Sequence, residues 1–355
     1  MKRRLTRPVA VGDLTLGGGA PILLQSMTNT DTRDVAATLE QVRQLAEAGC
    51  DLVRISVPSQ AAVDSFAEIC RESPCPLIAD IHFDYRLAIG AIRAGASKIR
   101  INPGNIGGWE RVRPILEAAR ERGVSIRVGV NSGSVPAHIL EKHGKPTAQA
   151  LVDSGLMWLN QFLDEGFEQL VFSFKSSNVL TTIEAYRQAA RVLDWPLHLG
   201  VTEAGTTFRG TVHSAVGIGT LLAEGIGDTF RVSLTADPRQ EVKVGVEILR
   251  ALGLRPPGIS VISCPTCART PENLVGLAEA FEERVTGLRG EAVVAIMGCA
   301  VNGPGEAREA DLGVALGPGK ALLFVRGVIV GSVPFDQALD RLYDEVVKFV
   351  QEQSS

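Results

Sequence analysis

The chain is sparing with several features, and each shortage excludes a class of protein. Six cysteines among 355 residues are too few for a disulfide scaffold. No apolar run approaches the roughly 20 residues that a membrane-spanning helix needs. The basic start, MKRRLTRPVAVGDLTLGGG, has no continuous apolar stretch behind it, because Val9, Ala10 and Val11 stop at Gly12-Asp13. No secretory signal is therefore expected, and the expected setting is the cytoplasm. A net charge of -4 gives no general electrostatic case for nucleic acid. Histidine is absent after His213, which removes that ligand type from the last third of the chain. With 45% hydrophobic and 21% charged residues, what remains is a folded chain expected to meet neither membrane nor nucleic acid.

What is present is a repeat of short apolar strands and longer amphipathic stretches. The strands read PILLQSM, DLVRISV, PLIADIHF, SKIRINP, SIRVGVN, QLVFSFK, LHLGVTE and DTFRVSLT. Between the first two, Val35, Leu39, Val42, Leu45 and Ala46 recur at helical spacing, and glycines close such helices. Eight β-α units without a switch in direction predict a (β/α)8 TIM-type barrel. An open doubly wound sheet is the alternative, but no G-x-G-x-x-G follows the first strand. The fifth unit is longer. Its polar SVPAHILEKHGKPTAQ, with His138, Lys142, His143 and Lys145, is a candidate lid loop. Pro256-Pro257-Gly258 reads as a linker. The expected division is a barrel over 1–255 and a small α+β domain over 256–355. In the latter, a helix from about Thr270 to Arg284 lies between strands VISC and EAVVAIMG. Strands DLGVALG and ALLFVRGVIVG and a last helix from Phe335 follow.

Side chains alternate along a strand, so one parity faces the barrel interior. Arg54 and Ser56 oppose Val53 and Ile55; Asp80 and His82 oppose Ile81; Arg100 and Asn102 oppose Ile101. Arg127 and Asn131 oppose Val128 and Val130, Ser173 and Lys175 oppose Phe174, and Arg231 and Ser233 oppose Val232. Five strands thus bring a cation inward, against few carboxylates: Asp80, and Glu203 where the seventh strand ends. Such a ring calls for a multiply charged anion. Guanidinium forks suit phosphate oxygens and lysine adds a point charge, so a diphosphate is expected. Glu203 has the parity of Leu199 and Val201 rather than the inward set, and an acid-base role and a structural one stand side by side.

Cys50 follows the helix-ending Gly49 and reads as a small buried hydrophobe. Cys264 and Cys267 form a C-x-x-C, and Cys299 lies in the turn-rich MGCAVNGPGEA. Zinc, a redox dithiol and an iron–sulfur cluster all use such spacings. The Asn302-Gly303-Pro304-Gly305 turn can bring Glu306 back toward the same centre. Three thiolates and one carboxylate are unusual for structural zinc. They suit a [4Fe–4S] cluster with one exchangeable oxygen ligand.

Together the motifs QSMTNTDT, VRISVP, ADIHFD, KIRINPGNIG, GVNSGS, SFKSS, GVTEAG, RVSLT, SCPTCART and MGCAVNGPGEA closely resemble those of the (E)-4-hydroxy-3-methylbut-2-enyl diphosphate synthases of the methylerythritol phosphate pathway. The resemblance runs from about residue 25 to 310. It implies a [4Fe–4S] oxidoreductase that opens 2-C-methyl-D-erythritol 2,4-cyclodiphosphate and removes a hydroxyl with two electrons, served by flavodoxin or ferredoxin. It implies Cys264, Cys267, Cys299 and Glu306 as cluster ligands, and Arg54, Arg100, Arg127 and Lys175 as diphosphate ligands. His82, Asn131, Arg231 and Ser233 match further pocket positions, and Glu203 a proton-handling residue. The short linker is similar to that of the compact two-domain members. A zinc-dependent barrel hydrolase or transferase acting on a diphosphate is the alternative, and a non-catalytic diphosphate-binding protein whose cluster only senses redox state is a third.

Active sites of such barrels lie at the carboxyl ends of the strands. The eighth helix, about Gln240 to Leu252, returns some 20 Å toward the opposite end at ~1.5 Å per residue. The second domain then starts away from its own barrel mouth. A head-to-tail homodimer, each cluster domain capping the partner's barrel, is the expected assembly.

Overall fold

The computed structural model describes residues 2–270, 272–299 and 310–353. It divides into two compact units, Met1–Leu254 and Arg255–Ser355.

The first unit opens with a hairpin of β1 (Val9–Val11) and β2 (Leu14–Leu16). Eight parallel strands follow: β3 (Leu23–Met27), β4 (Leu52–Ser56), β5 (Leu77–Asp80), β6 (Lys98–Ile101), β7 (Ser125–Asn131), β8 (Leu170–Lys175), β9 (His198–Leu199) and β10 (Thr229–Phe230). The helices between and after them are α1 (Val35–Glu47), α2 (Gln60–Glu72), α3 (Tyr85–Ala94), α4 (Pro103–Ile106), α5 (Trp109–Arg122), α6 (Ala137–His143), α7 (Ala148–Asp164), α8 (Val179–Val192), α9 (Thr207–Ala223) and α10 (Pro238–Ala251). The expected (β/α)8 barrel is therefore present. A parallel bridge between Phe172 and Leu197 joins β8 to the segment entering β9 and brings the sheet round on itself. The stripe expected in α1 is buried at Leu39, Val42 and Leu45, and Asp34 caps the helix by accepting the Ala37 N–H at 3.0 Å. Outward strand residues such as Val53, Ile55, Ile99 and Phe172 pack with the inner helix faces into one large core.

Following the pairing once around the barrel returns the chain eight residues lower, the stagger of a standard eight-stranded barrel. Inward residues then fall into layers of four from alternate strands. Toward the lower end, Leu23 of the floor and, from the two layers above it, Leu52, Val171 and Ile78 join Val9, Val11 and Leu16 of the hairpin in a separate apolar cluster. The hairpin is thus a plug under the barrel. The basic N-terminal arm is bound at the same end: Arg4 donates to the carbonyls of Leu193 and Trp195, and Thr6 Oγ1 to Asp228 at 3.0 Å. Arg7 lies over the Trp195 ring.

The expected lid segment is not an open loop. Its centre is helix α6, and Lys142 and His143 both reach Asp153 on α7, at 3.0 and 2.9 Å. Periodicity over so short a helix is too brief to read among polar residues.

The second unit carries a five-stranded sheet in the order β11 (Ile259–Ser263), β12 (Ala292–Met297), β13 (Leu312–Gly317), β14 (Lys320–Val325), β15 (Val328–Pro334). The first three are parallel and the last pairings antiparallel. Helices α11 (Leu274–Arg284) and α12 (Ala338–Gln353) contribute Leu277, Phe281, Leu342 and Val346 to its core. The expected strand ALLFVRGVIVG is instead a hairpin. Arg326 and Gly327 both take positive φ, 48° and 75°, the backbone of a two-residue hairpin turn. The expected helix from Thr270 begins at Leu274, where Asn273 caps it.

Candidate active site

The layer above the floor is Leu52, Lys98, Val171 and Thr229; above it come Gln25, Ile78, Arg127 and His198. Arg54, Arg100, Ser173 and Arg231 follow, and then Met27, Asp80, Gly129 and Gly200. Lys175 and Asn131 are register partners at the mouth. Branched aliphatics usually fill such layers; here the upper ones are polar and strongly cationic. The two glycines make room. A Cβ at Gly129 would stand 3.0 Å from Arg100 Nε, and one at Gly200 2.6 Å from Lys175 Nζ.

Asp80 is the carboxylate at the centre. It lies 3.7 Å from Arg54, 3.4 Å from Arg100 and 3.8 Å from His82 Nε2. Burial opposes its ionisation, but Arg54, Arg100 and Arg127 outweigh that and hold it down to about 2. Arg54 also directs Nε and Nη2 at Met27 Sδ, at 3.2 and 3.0 Å. Desolvation lowers Arg54 to about 10, against the pull of Asp80. Arg127 is 1% exposed and forms no ion pair with a described carboxylate, though it feels the charge of Asp80; its Nε and Nη1 have no hydrogen-bond partner among the described residues. Lys175 is buried, and desolvation together with Arg127 and Arg54 holds its ammonium well below the ordinary lysine range.

Arg231 departs from the expected ring of unbalanced cations. It forms a two-point hydrogen bond with Glu241 on α10. Strand alternation cannot find a partner supplied by the following helix, so the sequence reading missed Glu241. It also missed Lys98, His198 and Gln25, all fully buried. Lys98 shares the parity of Arg100 in KIRI, and that was the available signal.

The other expected residues spread around the mouth. His82 is exposed, with Asp80 and the Phe83 ring beside it, while Asn131 and Ser233 are half-buried. Glu203 is exposed, beyond β9, with φ at 54°. That is the left-handed region, uncommon for a residue other than glycine. It is not among the buried cations, in keeping with its parity. Cys50 is buried, as expected, with Sγ accepting the Ser26 N–H at 3.1 Å.

In the second unit, Cys264 follows β11 and Cys299 follows β12, two adjacent parallel strands. Gly298 donates its N–H to Cys264 Sγ at 3.1 Å. Cys267 is exposed in the turn between, and its thiol is held below its ordinary value, first by the Arg269 backbone N–H. Among the described residues, no three His, Cys, Asp or Glu side chains group closely enough to hold a metal. Glu306 lies outside the described residues.

An eight-stranded barrel whose interior gathers cations in excess of carboxylates is an anion-binding barrel of the kind that carries phosphorylated ligands. The chain belongs to the GcpE family: the GcpE TIM-barrel domain matches residues 6–246, and the GcpE protein C-terminal domain residues 260–348. A curated 4-hydroxy-3-methylbut-2-en-1-yl diphosphate synthase (flavodoxin) from Geobacter sulfurreducens is 53% identical over 347 residues, covering 98% of each chain. The protein of that name from Caldanaerobacter subterraneus is 52% identical over 351 residues, 99% of each chain. Among solved structures, the dihydropteroate synthase of Yersinia pestis aligns at a TM-score of 0.50 and 15% identity, over 69% of this chain and 97% of that one. This last likeness concerns the barrel fold alone.

Proposed function

We propose that this chain is an oxidoreductase that converts 2-C-methyl-D-erythritol 2,4-cyclodiphosphate to (E)-4-hydroxy-3-methylbut-2-enyl diphosphate in isoprenoid precursor synthesis. The observation that carries the reading is the barrel interior, where Arg54 and Arg100 flank Asp80 while Arg127 and Lys175 stand buried beside them with no ion pair among the described residues. The family and the relatives' names agree with it. In this reaction two electrons and a proton enter, water leaves, and ring opening leaves the diphosphate with one more negative charge.

The four cations hold and orient the diphosphate, so that the carbon skeleton sits at the mouth. His82, Asn131, Arg231 and Ser233 line the upper pocket, and Glu203, on its left-handed turn, handles a proton. The thiols fit an iron–sulfur centre in donor softness and in placement at strand ends, and the N–H of Gly298 on Cys264 Sγ is of the kind that tunes cluster sulfur. Cys264, Cys267, Cys299 and Glu306 are the residues to hold a [4Fe–4S] cluster. Bound there, it would supply electrons singly and a Lewis-acidic iron for the leaving oxygen.

Flavodoxin is the electron donor that the relatives' names suggest; ferredoxin is the other single-electron carrier that serves this reading. No helix among the described residues is long and apolar enough to cross a membrane, and a cytoplasmic setting accords with the pathway. The assembly in this reading is a head-to-tail homodimer that shares its active sites. Exposed Phe83, Leu180 and Phe208 on loops and helix starts at the mouth offer an apolar rim for a cap.

The test is anaerobic turnover of the cyclic diphosphate with reduced flavodoxin, alongside iron, sulfide and zinc analysis. The expected result is the linear allylic diphosphate and about four irons and four sulfides per chain. Zinc without sulfide, and no product, would overturn the reading in favour of a zinc hydrolase.

A further inference from the structure

Lys98 is a buried ionisable group deep in the barrel that the reading so far leaves without a role. It is 0% exposed, and its Nζ has no hydrogen-bond partner. It sits between the apolar floor and the layer of Arg127 and His198. The hairpin residues beneath it, Val9, Val11 and Leu16, carry no charge. Around and above it stand the cations Arg54 on β4, Arg100 on its own strand, Arg127 on β7 and Lys175 on β8, with His198 on β9 and Arg231 beyond β10. Among the described residues, the carboxylates facing these cations are two: Asp80 on β5 is engaged by Arg54, Arg100 and His82, and Glu241 on α10 by Arg231 and Ser26. Neither reaches Lys98. His198 turns Nδ1 toward Thr229 Oγ1 at 3.4 Å and leaves Nε2 unpartnered, and both amide atoms of Gln25 are unpartnered.

An ammonium in that position has no counter-charge until an anion arrives above it. Burial holds the Lys98 ammonium well below the ordinary lysine range, and Arg127 and Arg54 act in the same direction. Arriving phosphate oxygens reverse the local potential, engage the free Arg127 donors and favour the charged amine.

We propose that Lys98 is the barrel's charge-balancing base: when a diphosphate binds, a proton from solvent is taken up onto Lys98 Nζ. The amine lone pair accepts the proton, no other bond changes and no redox partner is needed. The inference rests on the reading of the barrel as a cyclic-diphosphate site and deepens it. Product formation adds one negative charge to the ligand, so the protonated amine is matched to the later, more anionic state. Lys98 touches no ligand oxygen and acts through Arg127, as a positioning residue.

The direction of the pH effect follows. In the proposal, the bound anion raises the pKa of the amine from its lowered position in the free protein. Uptake therefore occurs between the two pKa values, and affinity falls as pH rises through that window, about tenfold per pH unit for one coupled proton. The cyclic diphosphate is a clean probe. It lacks the second, near-neutral ionisation of a phosphomonoester, so the protons counted belong to the protein.

The experiment is calorimetric titration of the oxidised, cluster-loaded full chain with the cyclic diphosphate, in buffers of different ionisation enthalpy and without reductant. The expected wild-type result is net uptake near neutral pH. In Lys98→Met, binding persists with about one proton fewer. In Lys98→Arg, a permanent cation, uptake also falls by about one and the affinity loses its decline with pH. Binding with no uptake in the wild type overturns the proposal whatever the variants do, and leaves the ligand reading intact. Uptake unchanged in both variants also overturns it. Failure of the cyclic diphosphate to bind the wild type at all overturns the ligand reading, and the proposal with it.

Discussion

Arg231 holds Glu241 at two points, Nε to Oε2 and Nη2 to Oε1, each at 3.0 Å. The same buried carboxylate accepts Ser26 Oγ at 3.0 Å and the Leu234 N–H at 3.1 Å. It ties β3, the segment after β10 and α10 together behind the site. Glu241→Ala leaves Arg231 without its counter-charge and two further donors unpaired. A loss of about 3 kcal/mol is expected, read as a lower guanidinium midpoint with an unchanged slope.

Arg127 is the opposite case, a buried guanidinium with no ion pair among the described residues. Arg127→Met removes an uncompensated charge, so unfolding stability should hold or rise. Affinity for the cyclic diphosphate should fall by about 10- to 100-fold, the worth of a charged hydrogen bond of roughly 1.5–3 kcal/mol. Parallel loss of stability and affinity would count against a ligand-holding role.

Asp80 sets an acid limit. Its folded-state value is depressed to about 2 from an ordinary 3.8. The stability it contributes is therefore present above pH 4 and lost as pH falls toward 2, amounting to about 2 kcal/mol. Asp80→Asn should be less stable at neutral pH, and its acid unfolding curve should be flatter than the wild type's between pH 4 and 2.

The proposed shared active site is testable by mixing two inactive variants. Cys299→Ser and Lys175→Ala homodimers should each fail to turn over. Mixed and re-equilibrated, they should recover about a quarter of wild-type activity, since half the dimers are mixed and each has one intact pair. No recovery from dimers shown to have exchanged subunits would exclude the trans arrangement.

The inward cations were legible because alternation along a strand is strict wherever one face is buried. Arg54, Arg100, Arg127 and Lys175 fall inside as their parity requires. Glu241 was illegible because a helix residue owes nothing to strand parity. Lys98 was legible in parity but not in meaning, since the depth of a lysine depends on a stagger that only the closed sheet fixes. The Arg326-Gly327 turn was hidden by its flanks: two apolar runs read as one strand when only one residue of the turn is glycine. Glu203 was ambiguous in alternation, and its left-handed backbone explains why. The chain leaves the strand geometry there, and parity stops carrying information.

The hairpin under the barrel gives the interior a direction of traffic. With Val9, Val11 and Leu16 packed beneath it, the well has an apolar base at the end opposite the mouth. In the proposed reading the diphosphate takes the layers above Lys98, so anion and proton share one approach. Charge can then reach the bottom of the barrel only as a neutralised pair, the anion above and the proton below.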